Sequence, residues 1–347
     1  MKIERIKNSK LESINFDNLP FGKYFSDHML MCEYQNDKWL EPYIKPYEHI
    51  SISPCAQVFH YGQAFFEGMK AYKNQNDIFL FRSKDNLKRF NNSAKRLCMP
   101  EITEEIFING MKKLINLDEK WIPENDNSAL YIRPFMIATE EYIKAMPSKK
   151  YLFMIATAPT GSYYDAKIDV KIEEHYSRSS QGGVGFTKAG GNYAGAFYPT
   201  KMVQQEGYTQ LIWTDAYEHK YLEECGTMNI FFIIDNKIIT PKLSDSILGG
   251  ITRDSIIELA RNKGYEVKES KISINELYKA NDENKLTEVF GSGTAVTIGK
   301  IKSINSSLGK INISSHEITE KLKKELLDIQ YGRINDPFNW REKINKN

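Results

Sequence analysis

The sequence holds few cysteines, and none of their spacings suggests a metal site or a disulfide framework. Cys32, Cys55, Cys98 and Cys225 form no CxxC pair and have no zinc-type spacing with histidine, so no metal is expected and free thiols in a reducing compartment are the plain reading. Long hydrophobic runs are also missing. The longest, such as Ile230-Phe231-Phe232-Ile233-Ile234, are far too short to span a bilayer and read as buried strands. The N-terminus is charged and polar, without the apolar stretch of a secretory signal. No charge sign dominates: 47 basic and 45 acidic side chains leave a net charge of +2. Neither nucleic acid nor a membrane is an expected partner, and a cytoplasmic location is expected. There is no internal repeat, no P-loop and no strand-GxGxxG-helix unit.

What is present suits two globular domains: 347 residues, 41% of them hydrophobic and 27% charged. Ile78–Phe81 reads as a strand. A helix capped by Ser83 should follow, with Leu87, Phe90, Ala94 and Leu97 on one face. A second helix is expected from about Glu104 to Leu117. Tyr151–Ala156 has a buried-strand pattern and runs to Pro159-Thr160-Gly161-Ser162, the best candidate for a boundary. Further strands are expected at Gln210–Trp213, Asn229–Ile234, Lys237–Thr240, Thr287–Phe290 and Ala295–Gly299, with a turn at Asp235-Asn236. A helix should begin near Thr252, carry Ile256, Leu259 and Ala260 inward and end at Gly264. A last helix has Ile318, Leu322, Leu326 and Ile329 at helical spacing, and the basic residues 341–346 read as a solvated tail. The pattern is mixed α/β (α+β), not a regular βαβ series.

The densest chemical signal is Gly182-Gly183-Val184-Gly185-Phe186-Thr187-Lys188-Ala189-Gly190-Gly191-Asn192-Tyr193. A lysine flanked by glycines suits close backbone approach to a ligand; composition alone favours a mobile glycine loop with a solvated lysine. A lysine that condenses with an aldehyde cofactor needs company: a carboxylate for a pyridine nitrogen, and a helix start, hydroxyls and an arginine for a phosphate. Glu224 is the carboxylate candidate, or a turn acid in water. Leu248-Gly249-Gly250-Ile251-Thr252 could cradle the phosphate, or be an ordinary threonine N-cap. Gly291-Ser292-Gly293-Thr294-Ala295 is a second hydroxyl cluster, or a plain turn. Arg89 lies on the Ser83 helix but off its apolar stripe, available to a phosphate or to solvent. Arg133 sits in an apolar run and needs a partner.

Together these segments resemble the branched-chain-amino-acid aminotransferases of the class IV, fold type IV superfamily, whose cofactor is pyridoxal 5′-phosphate. The resemblance covers nearly the whole chain. It begins at Phe21-Gly22 and Asp27-His28-Met29-Leu30 and continues through His60-Tyr61, Phe66-Glu67-Gly68-Met69-Lys70-Ala71 and Tyr131-Ile132-Arg133-Pro134. It then follows Lys188–Tyr193, Glu224–Asn229, Gly250–Arg253, Phe290–Ala295 and Asp328–Gly332. The length and the Asp27–Leu30 segment are similar to the longer, eukaryote-like subgroup. The cysteine pair that some animal members carry after the Thr-Ala segment is absent here, where Val296-Thr297 stand.

The resemblance implies a two-domain fold with the active site at the domain interface: a small domain at 1–157, a linker at 158–168, and a large domain at 169–347 that carries the lysine. It implies Lys188 as Schiff-base lysine and acid–base catalyst, Tyr193 at the cofactor's phenolic oxygen, Glu224 at the pyridine nitrogen and Thr227 near the ring. Arg89, Gly250-Ile251-Thr252 and Gly293-Thr294 would hold the phosphate. Phe21, Tyr61, Phe66, Tyr131 and Tyr193 would line an apolar substrate pocket, with Ile143 and Ala145 offered by the second subunit of a homodimer. Thr294-Ala295 would meet the substrate carboxylate, and Arg133 would support that side through Tyr131. The implied reaction moves the amino group of L-leucine, L-isoleucine or L-valine to 2-oxoglutarate, so the partners are small amino acids and 2-oxo acids. A D-amino-acid aminotransferase or aminodeoxychorismate lyase shares the fold, and a non-enzymatic binding protein is the reading from another class.

Overall fold

The computed structural model describes residues 1–161, 163 and 166–345. The chain divides into two compact units: Met1–Tyr163 with Thr187–Gly191 and Asp328–Asn347, and Tyr164–Phe186 with Asn192–Leu327. This differs from a single passage at 158–168. Ala158 to Thr160 still belong to a strand, and residues 162, 164 and 165 of the expected linker lie outside the described residues. Residues 187–191 group with the first unit because their backbone bonds to it: Phe66 N donates to Lys188 O at 3.2 Å, and Ala189 bridges Phe65.

The first unit is built on a sheet that runs in the order Lys2–Ile3, Tyr43–Pro46, His28–Gln35, Tyr151–Thr160, Ala129–Ala138, Met69–Asn74, Asp77–Phe81 and Arg341–Ile344. Lys38–Trp39 and Ala64–Phe66 pair off this path. Every residue of Tyr151–Thr160 is buried, because both faces of the strand are covered. Phe153 and Ile155 join Leu30, Leu130, Ile132, Phe90 and Phe107 on one face; Leu152 and Met154 join Met29 and Met31 on the other. That is why it reads as a continuous apolar run rather than an alternation.

The helix Ser83–Arg96 lies on the first face. Its Phe90 meets Phe65, Phe107 and Phe153 at ring-centroid distances of 4.5, 5.2 and 5.5 Å. Truncating such a side chain costs about 3–5 kcal/mol, so the stripe fixes how the rest of the helix is presented. Ser83 does not cap it. The N-cap is Arg82, in the left-handed region at φ 52°, and Ser83 Oγ instead donates to Glu342 at 2.7 Å. Residues 341–344 are not a solvated tail but a strand on Asp77–Phe81; Lys346 lies outside the described residues.

In the second unit six strands close on themselves: Leu222–Cys225, Gln210–Thr214, Ile168–Ile172, Thr297–Ser306, Leu286–Gly293 and Met228–Ile234, which pairs back with Leu222–Cys225. Ile168, Val170, Ile212, Met228, Ile230, Phe232, Val289, Ile301 and Ile304 pack as one core. Closure leaves these six without an open edge. The hairpin from Met228–Ile234 to Lys237–Thr240 turns at Asp235 and Asn236, with φ values of 54° and 60°. Two positive φ angles suit a two-residue turn between twisted strands. Gly291 to Gly293 end a strand rather than forming a turn. The helix expected near Thr252 is Ile251–Asn262, capped by Gly250. Among the described residues no helix is long and apolar enough to cross a membrane.

Candidate active site

In the first unit Lys188 is pinned through its backbone. Its carbonyl accepts from Phe66 N, and its N–H donates to Ser93 Oγ at 3.2 Å. Ser93 Oγ in turn donates to Arg89 O at 3.2 Å, so the lysine segment is tied to the helix that carries Arg89. Lys188 Nζ lies 4.9 Å from the Phe66 ring centroid, and the Arg133 guanidinium lies 4.3 Å from the same ring. Two cations at one aromatic ring are within cation–π range.

Arg133 Nη2 donates to the Tyr131 hydroxyl at 2.9 Å. A Cβ at Gly68 would stand 2.2 Å from that hydroxyl oxygen, so only glycine lets Tyr131 occupy this place. Phe21 packs edge-on against Tyr131 at 4.8 Å and against Tyr163 at 5.0 Å. Phe21, Phe66, Tyr131, Arg133 and Lys188 are thus gathered in one neighbourhood.

Arg89 does not stand open to solvent. Its Nε and Nη2 donate to the two carboxylate oxygens of Glu67 at 2.6 and 2.8 Å. Glu67 is fully buried, with 0% exposure, and also accepts from Gly68 N at 3.0 Å. A bidentate pair fixes both the plane and the direction of the guanidinium.

Tyr61, Ile143 and Ala145 are not gathered with these residues; they are exposed. Tyr61 ends the helix Gln57–Tyr61. Buried Gln57 holds the neighbouring loop by donating from Nε2 to the carbonyls of Lys144 and Met146 at 3.2 and 3.0 Å. Phe59 at 62% and Ile143 at 63% exposure make this an apolar surface patch.

In the second unit Glu224 lies on the strand that closes the ring, opposite Trp213 on one side and Asn229 on the other. It is 4% exposed, so it is not a turn acid in water. Arg178 Nε pairs with its Oε2 at 2.5 Å. Its Oε1 accepts from Leu248 N at 3.1 Å and Asn229 Nδ2 at 3.2 Å. Asn229 Nδ2 also donates to Leu248 O at 2.8 Å. The carboxylate is therefore held from three directions.

Asn229 further specifies the helix start. A Cβ on Gly250 would lie 2.0 Å from Asn229 Oδ1. Gly250 has no side chain to cap the helix Ile251–Asn262. The first amides of an α-helix lack intrahelical acceptors and carry the positive end of its dipole, so this start is suited to an anion. Thr252 is buried in the first turn rather than capping it. Thr227 is exposed in the tight turn after Glu224; Tyr193 is half-buried in the first turns of the helix Gly190–Gln205. Gly293 ends its strand opposite Thr297, and half-buried Thr294 and Ala295 follow it.

Sequence reasoning missed Glu67, Ser93, Arg178 and Asn229 as holders of the expected residues. Glu67 and Asn229 stand inside segments already singled out. Arg178, in Tyr176-Ser177-Arg178-Ser179-Ser180, carries no periodic or glycine signal. Among the described residues no group of His, Cys, Asp and Glu could hold a metal ion.

Residues 64–304 match the family model for amino-transferase class IV. A probable branched-chain-amino-acid aminotransferase of Staphylococcus aureus is 45% identical, the match covering 100% of this chain and 99% of that one. Branched-chain-amino-acid transaminase 1 of Bacillus subtilis is 42% identical over 94% of each chain. Among solved structures, the branched-chain amino acid aminotransferase of Escherichia coli is 25% identical with a TM-score of 0.73, covering 90% of this chain and 99% of that one. With a pinned lysine, a clamped carboxylate and these relatives, the chain belongs to the class IV aminotransferases, within the branched-chain-amino-acid aminotransferase family.

Proposed function

We propose that the protein is a pyridoxal-phosphate enzyme that moves the amino group of L-leucine, L-isoleucine or L-valine to 2-oxoglutarate, reversibly. The observation that carries this is the threefold hold on Glu224 by Arg178, Leu248 N and Asn229. A buried carboxylate fixed in this way keeps one orientation, which is what a protonated pyridine nitrogen needs as a partner.

The residues fit the cofactor at two further points. The helix start at Ile251 lacks a capping side chain and sits against Asn229, where Gly250 leaves room for no Cβ. Arg89 is aimed by Glu67. In this reading the Ile251 and Thr252 amides, Gly293-Thr294 and Arg89 would hold the phosphate, Glu224 would pair with the ring nitrogen, Tyr193 would serve the phenolic oxygen, and Thr227 would lie near the ring. Pyridoxal phosphate, when bound, supplies the aldehyde that takes the amino group and the ring that accepts the electron pair released at the substrate's α carbon.

Lys188 Nζ would anchor the cofactor, and its free amine would take up the substrate's α proton and hand it back in the proton shift. Its backbone bonds to Phe66 and Ser93 keep the amine's swing centred on one point. Phe21, Phe66 and Tyr131 form an apolar wall, where each buried methylene contributes about 0.8 kcal/mol. Thr294 and Ala295 offer backbone to the substrate carboxylate, and Arg133 fixes Tyr131 on that side.

The exposed patch of Tyr61, Ile143 and Ala145 supports a homodimer in which this surface completes the partner subunit's pocket, because lone apolar clusters of this kind mark contact surfaces. In this reading the sequence divides functionally into a small domain at 1–157, a linker at 158–168 and a large domain at 169–347 that carries Lys188. The free thiols fit a cytoplasmic enzyme acting on small amino acids and 2-oxo acids.

The test is transamination of 2-oxoglutarate by the purified yellow protein. Turnover of L-leucine, L-isoleucine and L-valine is expected. Turnover of a D-amino acid with none of these three would overturn the reading in favour of the D-amino-acid enzyme, and a colourless protein that cannot be reconstituted would favour a non-enzymatic binding protein.

A further inference from the structure

We infer that Glu223 is a positioning residue for the cofactor site: through Ser246 it fixes the segment 244–250 and Arg178, and so the spacing between the Glu224 carboxylate and the helix start at Ile251. The inference rests on the reading above, in which Glu224 and that helix start hold pyridoxal phosphate.

Successive side chains on a strand point to opposite faces, yet Glu223 and Glu224 both reach the same segment. Glu223 Oε1 accepts from Ser246 Oγ. Two residues on, Leu248 N donates to Glu224. Having given its one proton to Glu223, the Ser246 hydroxyl accepts from Ser244 Oγ at 2.9 Å. The Ser246 carbonyl accepts from Arg178 Nη2, and Arg178 is the residue that pairs with Glu224. One serine therefore links Glu223 to the clamp on its neighbour.

No helix or strand spans the residues between Thr240 and Ile251. Phe186 N donates to Asp245 O at 3.0 Å and Ile247 N to Ser244 O at 3.3 Å, and beyond these backbone bonds side chains locate the segment. A cavity of about 400 Å³ lined by Glu223, Leu243, Ser244 and Ser246 gives the segment room to shift when the bond is lost. Glu223 is also held at a cost. It is 9% exposed, and its Oε2 has no hydrogen-bond partner. Burial raises the pKa of its carboxyl, against the Ser246 bond and the Arg178 and Lys271 charges, which pull it down; Asp215 adds to the rise. A half-satisfied buried carboxylate is unfavourable in a strand that an apolar residue could fill.

The experiment is the rate at which holoenzyme loses pyridoxal phosphate, read from its visible absorbance, for Glu223→Ala, Ser246→Ala and Glu223→Gln. Losing one buried hydrogen bond should raise the rate about tenfold in the two alanine variants. Glu223→Gln keeps an oxygen that accepts from Ser246 and should stay within about threefold of wild type. The KM for leucine should move less than the cofactor loss, which a general loosening of the fold would not produce. Wild-type rates in both alanine variants overturn the inference, as does a Glu223→Gln variant as leaky as Glu223→Ala. If Glu223→Ala does not fold, Ser246→Ala decides. A wild-type protein that takes up no pyridoxal phosphate overturns the underlying reading before any variant is compared.

Discussion

Each unit contains a buried glutamate clamped by an arginine, and the two pairs are used in opposite senses. In the first, Glu67 holds Arg89, and the arginine is the residue expected to meet a ligand. In the second, Arg178 holds Glu224, and the carboxylate is the expected ligand group. The same ion pair thus presents a cation in one unit and an anion in the other. The difference lies in what surrounds each. Glu67 is wholly buried and receives Gly68 N, so the guanidinium is the partner that is aimed. Glu224 receives Leu248 N and Asn229 as well, so here the carboxylate is the partner that is aimed. A buried pair is weak evidence for stability; here it is better read as a device for orienting one partner.

The comparison has force only if one lysine carries the chemistry. Lys188→Ala should abolish the visible band near-completely and lower kcat by several orders of magnitude, measured by absorbance and by leucine transamination; a coloured, active variant breaks the scheme outright. Next in size is removal of the holders. Glu67→Ala and Arg178→Ala each remove the ion-pair partner of a buried group and should lower stability by about 3–5 kcal/mol. In urea unfolding, the double variant Glu67→Ala/Arg89→Ala should lose less than the sum of its two single changes. Strict additivity would mean the pair is not coupled.

A third buried carboxylate sharpens the point because no arginine holds it. Asp27 accepts from Ser9, Lys10 N and Trp121 Nε1. Burial alone would raise its pKa, but these neutral donors, with the charge of His28, lower it below the ordinary value. A carboxylate depressed in the folded state adds stability that is present above its ordinary pKa and lost as pH falls through the folded one. The stability gap between wild type and Asp27→Asn should therefore be largest near neutrality and shrink below about pH 4, in thermal unfolding at several pH values. A gap that grows in acid would contradict this.

The smallest effect expected is on thiol reactivity. Burial pushes Cys32 and Cys225 up to about 12, with Glu33 adding to the former. Cys98 is exposed. In native protein a thiol reagent should label Cys98 first and leave Cys32 and Cys225 untouched until unfolding.

Much of the fold was legible because period and apolar run report burial directly. The patterns at Tyr151–Ala156 and Asn229–Ile234 fall within the strands Tyr151–Thr160 and Met228–Ile234, and Ile256, Leu259 and Ala260 are buried on their helix. The misses have physical causes. Ser83 is a good cap by type, but Arg82 takes the left-handed conformation and Glu342, far along the chain, takes the serine hydroxyl. Residues 341–344 look solvated because strand alternation with charged residues resembles a polar tail. At the site, Lys188 and Glu224 announce themselves through flanking glycine and apolar segments. Their holders do not: Arg89 finds Glu67 across 22 residues, and Arg178 finds Glu224 across a ring whose closure no local pattern encodes.

The strand Arg341–Ile344 also bears on how the chain is made. A ribosome delivers the first unit's helices and most of its sheet early, but the outer side of Asp77–Phe81, which pairs Met69–Asn74 on its other side, has no partner until residue 344 emerges. The six strands of the second unit's ring are all in hand by Ser306. A unit whose residues come earlier ordinarily folds earlier during synthesis; here the first unit's sheet is completed only after the second unit's ring, with one side open to wrong pairing until then.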